Sequence, residues 1–99
     1  MKDIAERTEL LSLLDRYGAL LTEAQRDMLN DSLALDLSLS EIAENRSISR
    51  AAADDAIKKA ERKLRDYEEK IGLGKKKEEL LALLDAKEYE KLEEAIHAI

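Results

Sequence analysis

The sequence predicts an all-α protein of five or six helices, and three observations lead to that fold class. The chain has 99 residues with no proline and only three glycines, so it lacks the turn residues that a β-sandwich needs. Apolar residues make up 44% of the chain and charged residues 40%, which suits a small globular domain with a charged surface and not a disordered chain. Apolar residues also recur at spacings of three and four, the period of an amphipathic helix.

Two helices are predicted in the first third of the chain. Leucines and Tyr17 repeat at helical spacing over residues 3–20, so the first helix should present one wide apolar face. Thr22 and Gln25 have the spacing of a capping box, in which each side chain accepts a hydrogen bond from the other residue's backbone. A second helix should therefore begin after Thr22 and run to about Leu35.

A short helix followed by a long one is predicted next. Ser38 and Glu41 form a second capping box, which opens the short helix. Residues 45–48 predict a turn because Asn and Ser cluster there, and we expect Ile48 to pack into the core. The long helix should begin at Arg50. Its apolar residues follow one seam with spacings of three and four: Ala53, Ile57, Ala60, Leu64, Tyr67 and Ile71.

The last third of the chain predicts two further helices. Gly72 is expected to end the long helix in a left-handed conformation, and residues 72–77 are the only segment that resembles a linker. Within and after it, three lysines at 75–77 followed by Glu78 and Glu79 favour the start of a helix. Leucines over residues 80–84 and apolar residues over 89–99 then return to helical spacing.

A short helix, a tight turn and a long capped helix are the parts of a helix-turn-helix motif. We therefore predict a helical domain over residues 1–72, with the helix-turn-helix at about residues 38–71. A C-terminal helical hairpin extension should occupy residues 73–99.

The residue inventory excludes several function classes. The chain has no cysteine and one histidine, which leaves no thiolate site and little for a catalytic triad or a histidine metal site. No enzymatic activity, small-molecule substrate, metal or cofactor is expected. No apolar run reaches the ~18 residues of a membrane helix, and the N-terminus lacks the apolar core of a signal peptide. We expect a cytoplasmic protein that does not contact membranes.

The charge pattern restricts where DNA could bind. The net charge is -6, and only residues 38–66, with seven basic and six acidic side chains, are not acidic. Because an acidic surface repels phosphate, a contact with double-stranded DNA must come from this segment. The candidate nucleic-acid-binding residues are Arg46, Ser49, Arg50, Lys58, Lys59 and Arg62.

Several segments carry a family resemblance. They are Leu21-Thr22 with Gln25, residues 39–44 (Leu-Ser-Glu-Ile-Ala-Glu), residues 48–50 (Ile-Ser-Arg) and residues 57–64. Together they resemble region four of bacterial sigma factors. With Tyr17 and residues 66–68 (Asp-Tyr-Glu), they are more similar to the YlxM family, small proteins to which DNA binding is attributed. The resemblance covers roughly residues 8–72. It implies a sigma region-four-like helix-turn-helix and a regulatory role linked to the signal recognition particle pathway.

Two functions remain open at this point. The first is a DNA-binding regulator that uses the helix starting at Arg50. The second is a protein-interaction module whose helix-turn-helix does not bind DNA, because Asp54 and Asp55 lie early in that helix and residues 51–53 are bare alanines. The turn also has Ser47 where the family pattern usually has glycine. A left-handed conformation there should cost about 1 kcal/mol unless the turn differs.

Self-association is expected because the predicted helices carry more apolar residues than they can cover. The first helix has two apolar stripes, and the C-terminal helices are short. We expect a homodimer built from the first helix, the C-terminal helices, or both. The alternative is a monomer in which the C-terminal helices fold back on the first helix.

Overall fold

The computed structural model describes residues 2–99, and this part of the chain forms six α-helices and no β-strand. The predicted all-α class is confirmed. The helices are α1 (Ile4–Tyr17), α2 (Glu23–Leu33), α3 (Leu39–Arg46), α4 (Arg50–Ile71), α5 (Leu73–Asp85) and α6 (Tyr89–His97), and a short 3-10 turn (Gly18–Leu20) follows α1.

The chain divides into two compact units. The first ends at Tyr67, and the second comprises Glu68–Ile99, so the division falls inside α4. The sequence suggests a different division, after residue 72, which directly follows the end of α4. That division stays a prediction.

The first unit contains the hydrophobic core. Its largest fully buried side chains are Tyr17, Leu10, Leu29, Ile42 and Leu64, which come from each of the helices α1 to α4. This follows from the helical spacing, because each helix turns one apolar stripe toward the others.

Tyr17 also packs against an aromatic neighbour at the edge of this core. Its ring centroid lies 6.1 Å from that of Tyr67 on α4. The Tyr67 hydroxyl in turn donates a hydrogen bond to the Leu20 carbonyl at 3.3 Å, which fixes α4 against the 3-10 turn.

Both predicted capping boxes are confirmed. The Gln25 backbone N–H donates to the Thr22 hydroxyl and the Thr22 N–H donates to the Gln25 side chain, each at 3.2 Å. The Ser38 and Glu41 pair makes the same reciprocal bonds at 3.1 Å. Because these bonds join residues three apart, the sequence alone was enough to place them.

Two predicted helix ends were wrong. The first helix ends at Tyr17 and not at residue 20, because the next three residues tighten into the 3-10 turn. The second ends at Leu33 and leaves Leu35 59% exposed. Asp36, with φ 54°, turns the chain before α3. The apolar spacing of the sequence did not indicate this turn.

The linker-like segment is shorter than its sequence suggested, and the helix start expected at residues 75–79 is confirmed. Gly72 has the expected left-handed conformation, with φ 70° and ψ 26°, and α5 begins at the next residue. The lysines at 75–77 therefore lie in the first turns of a helix. A single left-handed glycine is sufficient to separate two helices, so no longer connection is needed.

The second unit consists mainly of the α5–α6 hairpin, whose connection passes through Lys87 at φ 58°. None of the residues of α5 or α6 is buried. Several large apolar side chains are about half exposed, including Leu73, Leu81, Leu84, Tyr89 and Ile96. Of the helices within residues 2–99, none combines the length and the apolar character needed to cross a membrane.

Candidate nucleic-acid interface

Helices α3 and α4 and the turn between them form the predicted helix-turn-helix. Ser47 adopts a left-handed conformation, with φ 54° and ψ 42°, as its position in the motif predicted. The Ile48 N–H donates to the Ala43 carbonyl at 3.0 Å, and the Ser47 N–H donates to that of Glu44 at 3.2 Å. This is the Schellman arrangement, which satisfies the last carbonyls of α3 and turns the chain sharply into α4.

The expectation that Ile48 enters the core was wrong, because its side chain is 38% exposed. Ile42 and Ala43 already fill this part of the core from α3. In a Schellman turn the residue after the left-handed position packs toward the end of its own helix, and Ile48 occupies that position.

Ser49 caps the start of α4. Its hydroxyl accepts a hydrogen bond from the Ala52 N–H at 3.0 Å, so the predicted cap is confirmed. Arg50 follows as the first helical residue and is exposed, as are Ala51 and Ala52. The positive end of the helix dipole therefore lies beside an exposed guanidinium and two small side chains.

Arg46 is largely engaged elsewhere. Its guanidinium is half-buried and lies 3.1 Å from the Asp31 carboxylate, an ion pair that ties α3 to α2. The Nε of Arg46 is buried without a hydrogen-bond partner among the described residues. This candidate therefore connects α3 to α2, and its guanidinium is not free for a phosphate.

Lys58 and Lys59 are exposed, but each is paired one turn back along α4. Lys58 lies 2.9 Å from Asp54, and Lys59 lies 3.0 Å from Asp55. The hydrogen bond to the Asp54 carboxylate, together with the charge of that group, raises the pKa of Lys58 above the ordinary lysine value. A phosphate that approaches either lysine therefore also meets the negative charge of its carboxylate partner.

Arg62 lies on the same solvent side of α4 and is exposed. Within residues 2–99, neither Arg62 nor Arg50 makes an ion pair or a side-chain hydrogen bond. Of the six candidates, two arginines are therefore free to contact a phosphate and two lysines are paired with carboxylates. The third arginine joins α3 to α2, and the serine caps α4.

Other cations of α4 fasten it to the first two helices. Arg65 contacts Glu9 at 3.1 Å and Glu6 at 3.5 Å, and Lys63 donates to Gln25 at 3.3 Å. The sequence could not identify these partners because they lie 38 or more positions away along the chain.

No metal centre is apparent in the part of the chain that the structure describes. No three His, Asp or Glu side chains within residues 2–99 converge as metal ligands would. His97 lies 3.7 Å from Glu93, on an exposed turn of α6.

Comparison with known proteins places this arrangement in a family. The model of the UPF0122 family, described as "Putative helix-turn-helix protein, YlxM / p13 like", matches residues 4–98. The chain belongs to this family. The UPF0122 match confirms the resemblance proposed from the sequence and extends it through α5 and α6.

Individual UPF0122 relatives match over most of the chain. A UPF0122 protein of Clostridium perfringens strain SM101 is 44% identical over 109 aligned positions, which cover 93% of this chain and 97% of the relative. A UPF0122 protein of Caldanaerobacter subterraneus is 46% identical, covering 85% of this chain and 68% of the relative. One from Clostridium kluyveri is 48% identical, covering 76% and 68%.

Proposed function

We propose that this UPF0122 protein is a regulatory protein that binds double-stranded DNA through α3 and α4. The start of α4 is the observation that carries the proposal. Arg50 is exposed there beside the small side chains of Ala51 and Ala52, at a helix N-terminus that Ser49 caps. An arginine at the start of a second helix can reach a base edge or a phosphate when that helix enters the major groove.

The same residues predict weak and mostly non-specific binding. Arg50 and Arg62 are the two candidate cations that have no anionic partner within the described residues. One arginine near the base edges offers little sequence discrimination. The net charge of -6 also repels the duplex at long range, so binding should be strongest at low salt.

A titration of a fluorescent mixed-sequence duplex tests the proposal. At about 50 mM salt we expect binding in the micromolar range, and Arg50→Ala and Arg62→Ala should each weaken it several-fold. Lys77→Ala is a matched control because it removes one exposed positive charge from α5. Equal losses in all three variants, or no binding by the unmodified chain, would contradict the proposal.

A protein-interaction module is the second candidate function, and the ion pairs favour it. Arg46, Lys58 and Lys59 all have carboxylate partners within the chain, so half of the proposed DNA contacts start from a neutralised state. A helix-turn-helix whose cations are paired in this way can still present its surface to another protein. Folded protein that fails to bind any duplex at low salt would favour this candidate.

We also propose that two copies form a homodimer through α5 and α6. The support is that Leu81, Leu84, Tyr89 and Ile96 are about half exposed on this hairpin. Sedimentation equilibrium should give twice the 11.2 kDa chain mass. Leu81→Asp should return the chain mass, whereas Ala82→Asp adds the same charge at a neighbouring exposed position and should not. A monomer at tens of micromolar would refute the dimer.

We place this function in the cytoplasm, where duplex DNA is accessible, and it requires no catalytic step.

The link to the signal recognition particle pathway is supported by the family resemblance alone. A genetic test is direct: deletion of the gene should alter membrane-protein insertion, and normal insertion would remove the link.

A further inference from the structure

A groove between α1 and α2 lies outside the helix-turn-helix. It has a volume of about 390 Å³ and is lined by Leu11, Leu14 and Asp15 of α1 and by Arg26, Asp27 and Asn30 of α2. All six residues belong to the first compact unit. None of them is among the residues discussed above as DNA contacts.

The floor of the groove is apolar. Leu11 and Leu14 are half-buried side chains that pack on the core from one side and face the groove from the other. They lie one helical turn apart, which matches the spacing at which an amphipathic helix presents its own apolar anchors. Gly18 leaves room for the Leu14 side chain, since a Cβ there would lie 3.3 Å from Leu14 Cδ1.

The rim of the groove is anionic. Asp15 and Asp27 stand on opposite walls, and neither makes an ion pair or a side-chain hydrogen bond within residues 2–99. This distinguishes them from Asp31, Asp36, Asp54 and Asp55, all of which bind a cation of this chain. Arg26 is the single cation of the lining, so the rim carries an excess of negative charge.

We propose that this groove binds a cationic amphipathic helix of another protein. Leucine-like side chains of that helix would cover Leu11 and Leu14, while its lysines or arginines would pair with Asp15 and Asp27. The net negative charge of the lining disfavours two other occupants. Nucleic acid is repelled by the carboxylates, and α6 of a second copy would bring Glu90, Glu93 and Glu94 against them.

This inference rests on the second candidate function and names its partner class. It stands apart from DNA binding, since the groove shares no residue with the six candidates on α3 and α4. A chain that fails to bind duplex DNA can still bind the helix, and the reverse also holds.

The probe is a designed peptide of roughly 18 residues, with leucines spaced three and four apart and lysines at the other positions. Titrated into the ¹⁵N-labelled full chain, it should shift the backbone amides of Leu11, Leu14 and Asn30. A second peptide with glutamate in place of lysine should leave them unshifted.

Charge-matched variants separate this site from general attraction to an acidic protein. Asp15→Asn with Asp27→Asn should weaken binding of the lysine peptide roughly fivefold, since two exposed pairs are lost. Asp66→Asn with Asp85→Asn makes the same change at two exposed carboxylates outside the groove and should weaken it far less. Equal weakening by the two double variants, or shifts that map elsewhere, would overturn the proposal.

Discussion

Neutralising Asp54 and Asp55 should strengthen duplex binding and make it more sensitive to salt. These carboxylates hold Lys58 and Lys59 at 2.9 and 3.0 Å. In the double variant Asp54→Asn with Asp55→Asn, both lysines keep their charge but lose their partner. They then become available for phosphate, in addition to Arg50 and Arg62.

The magnitude follows from the number of phosphates that each chain can contact. Each contact contributes about 0.9 to the slope of log affinity against log salt, so two available arginines give a slope near -1.8. Four cations give about -3.6. A fourfold rise in salt should therefore weaken the unmodified chain roughly 12-fold and the double variant roughly 150-fold.

Fluorescence anisotropy across a salt series measures both slopes. The control is Asp66→Asn with Asp85→Asn, which removes the same charge from carboxylates that hold no lysine and should leave the slope unchanged. Circular dichroism verifies that each variant keeps its helices. If the Asp54 and Asp55 variant gained affinity without a steeper slope, its lysines would not be meeting phosphates, and the reasoning would fail.

Three further predictions concern stability and titration. Ser47→Gly should raise the free energy of unfolding by about 1 kcal/mol, because glycine adopts the left-handed conformation of Ser47 without strain. The melting temperature should then rise by roughly 4–8 °C. The control Ser47→Ala keeps the Cβ and should show no such gain. Leu10→Ala should lower the free energy of unfolding by about 2–5 kcal/mol in urea, because Leu10 is fully buried, whereas a loss below 1 kcal/mol would place it outside the core. Asp54→Asn should lower the pKa of Lys58 in an NMR titration, because the Asp54 pair raises that pKa in the folded chain. The pair therefore stabilises the folded chain fully at pH values below the ordinary lysine pKa, and this stabilisation is lost as pH rises through the raised pKa.

The local parts of this fold were predictable from the sequence. The caps at Thr22, Ser38 and Ser49 depend on side chains that bond to residues three positions away, so their pattern is visible in the chain. The left-handed conformation was expected at Gly72 because glycine commonly ends a helix, and at Ser47 because the family pattern usually has glycine there. Each is fixed by the helix it ends.

The parts that depend on distant residues were not predictable. Arg46 has the sequence position of a phosphate contact, but folding brings Asp31 within 3.1 Å of it. The groove that we assign to a partner helix likewise joins Leu14 to Asp27 across two helices, and no spacing within either helix reveals it. The site candidates were therefore identified by residue type. A tertiary contact engages Arg46, whereas local pairs within α4 engage Lys58 and Lys59.

Chemical-shift mapping of duplex DNA on the ¹⁵N-labelled chain tests the central claim most directly. At low salt, addition of a short mixed-sequence duplex should shift the backbone amides from Ser49 to Asp54 and that of Arg62. Those of Leu11 and Leu14 should stay in place. Shifts confined to the groove or to α5 and α6, or none at all with saturating duplex, would contradict DNA binding through the helix-turn-helix.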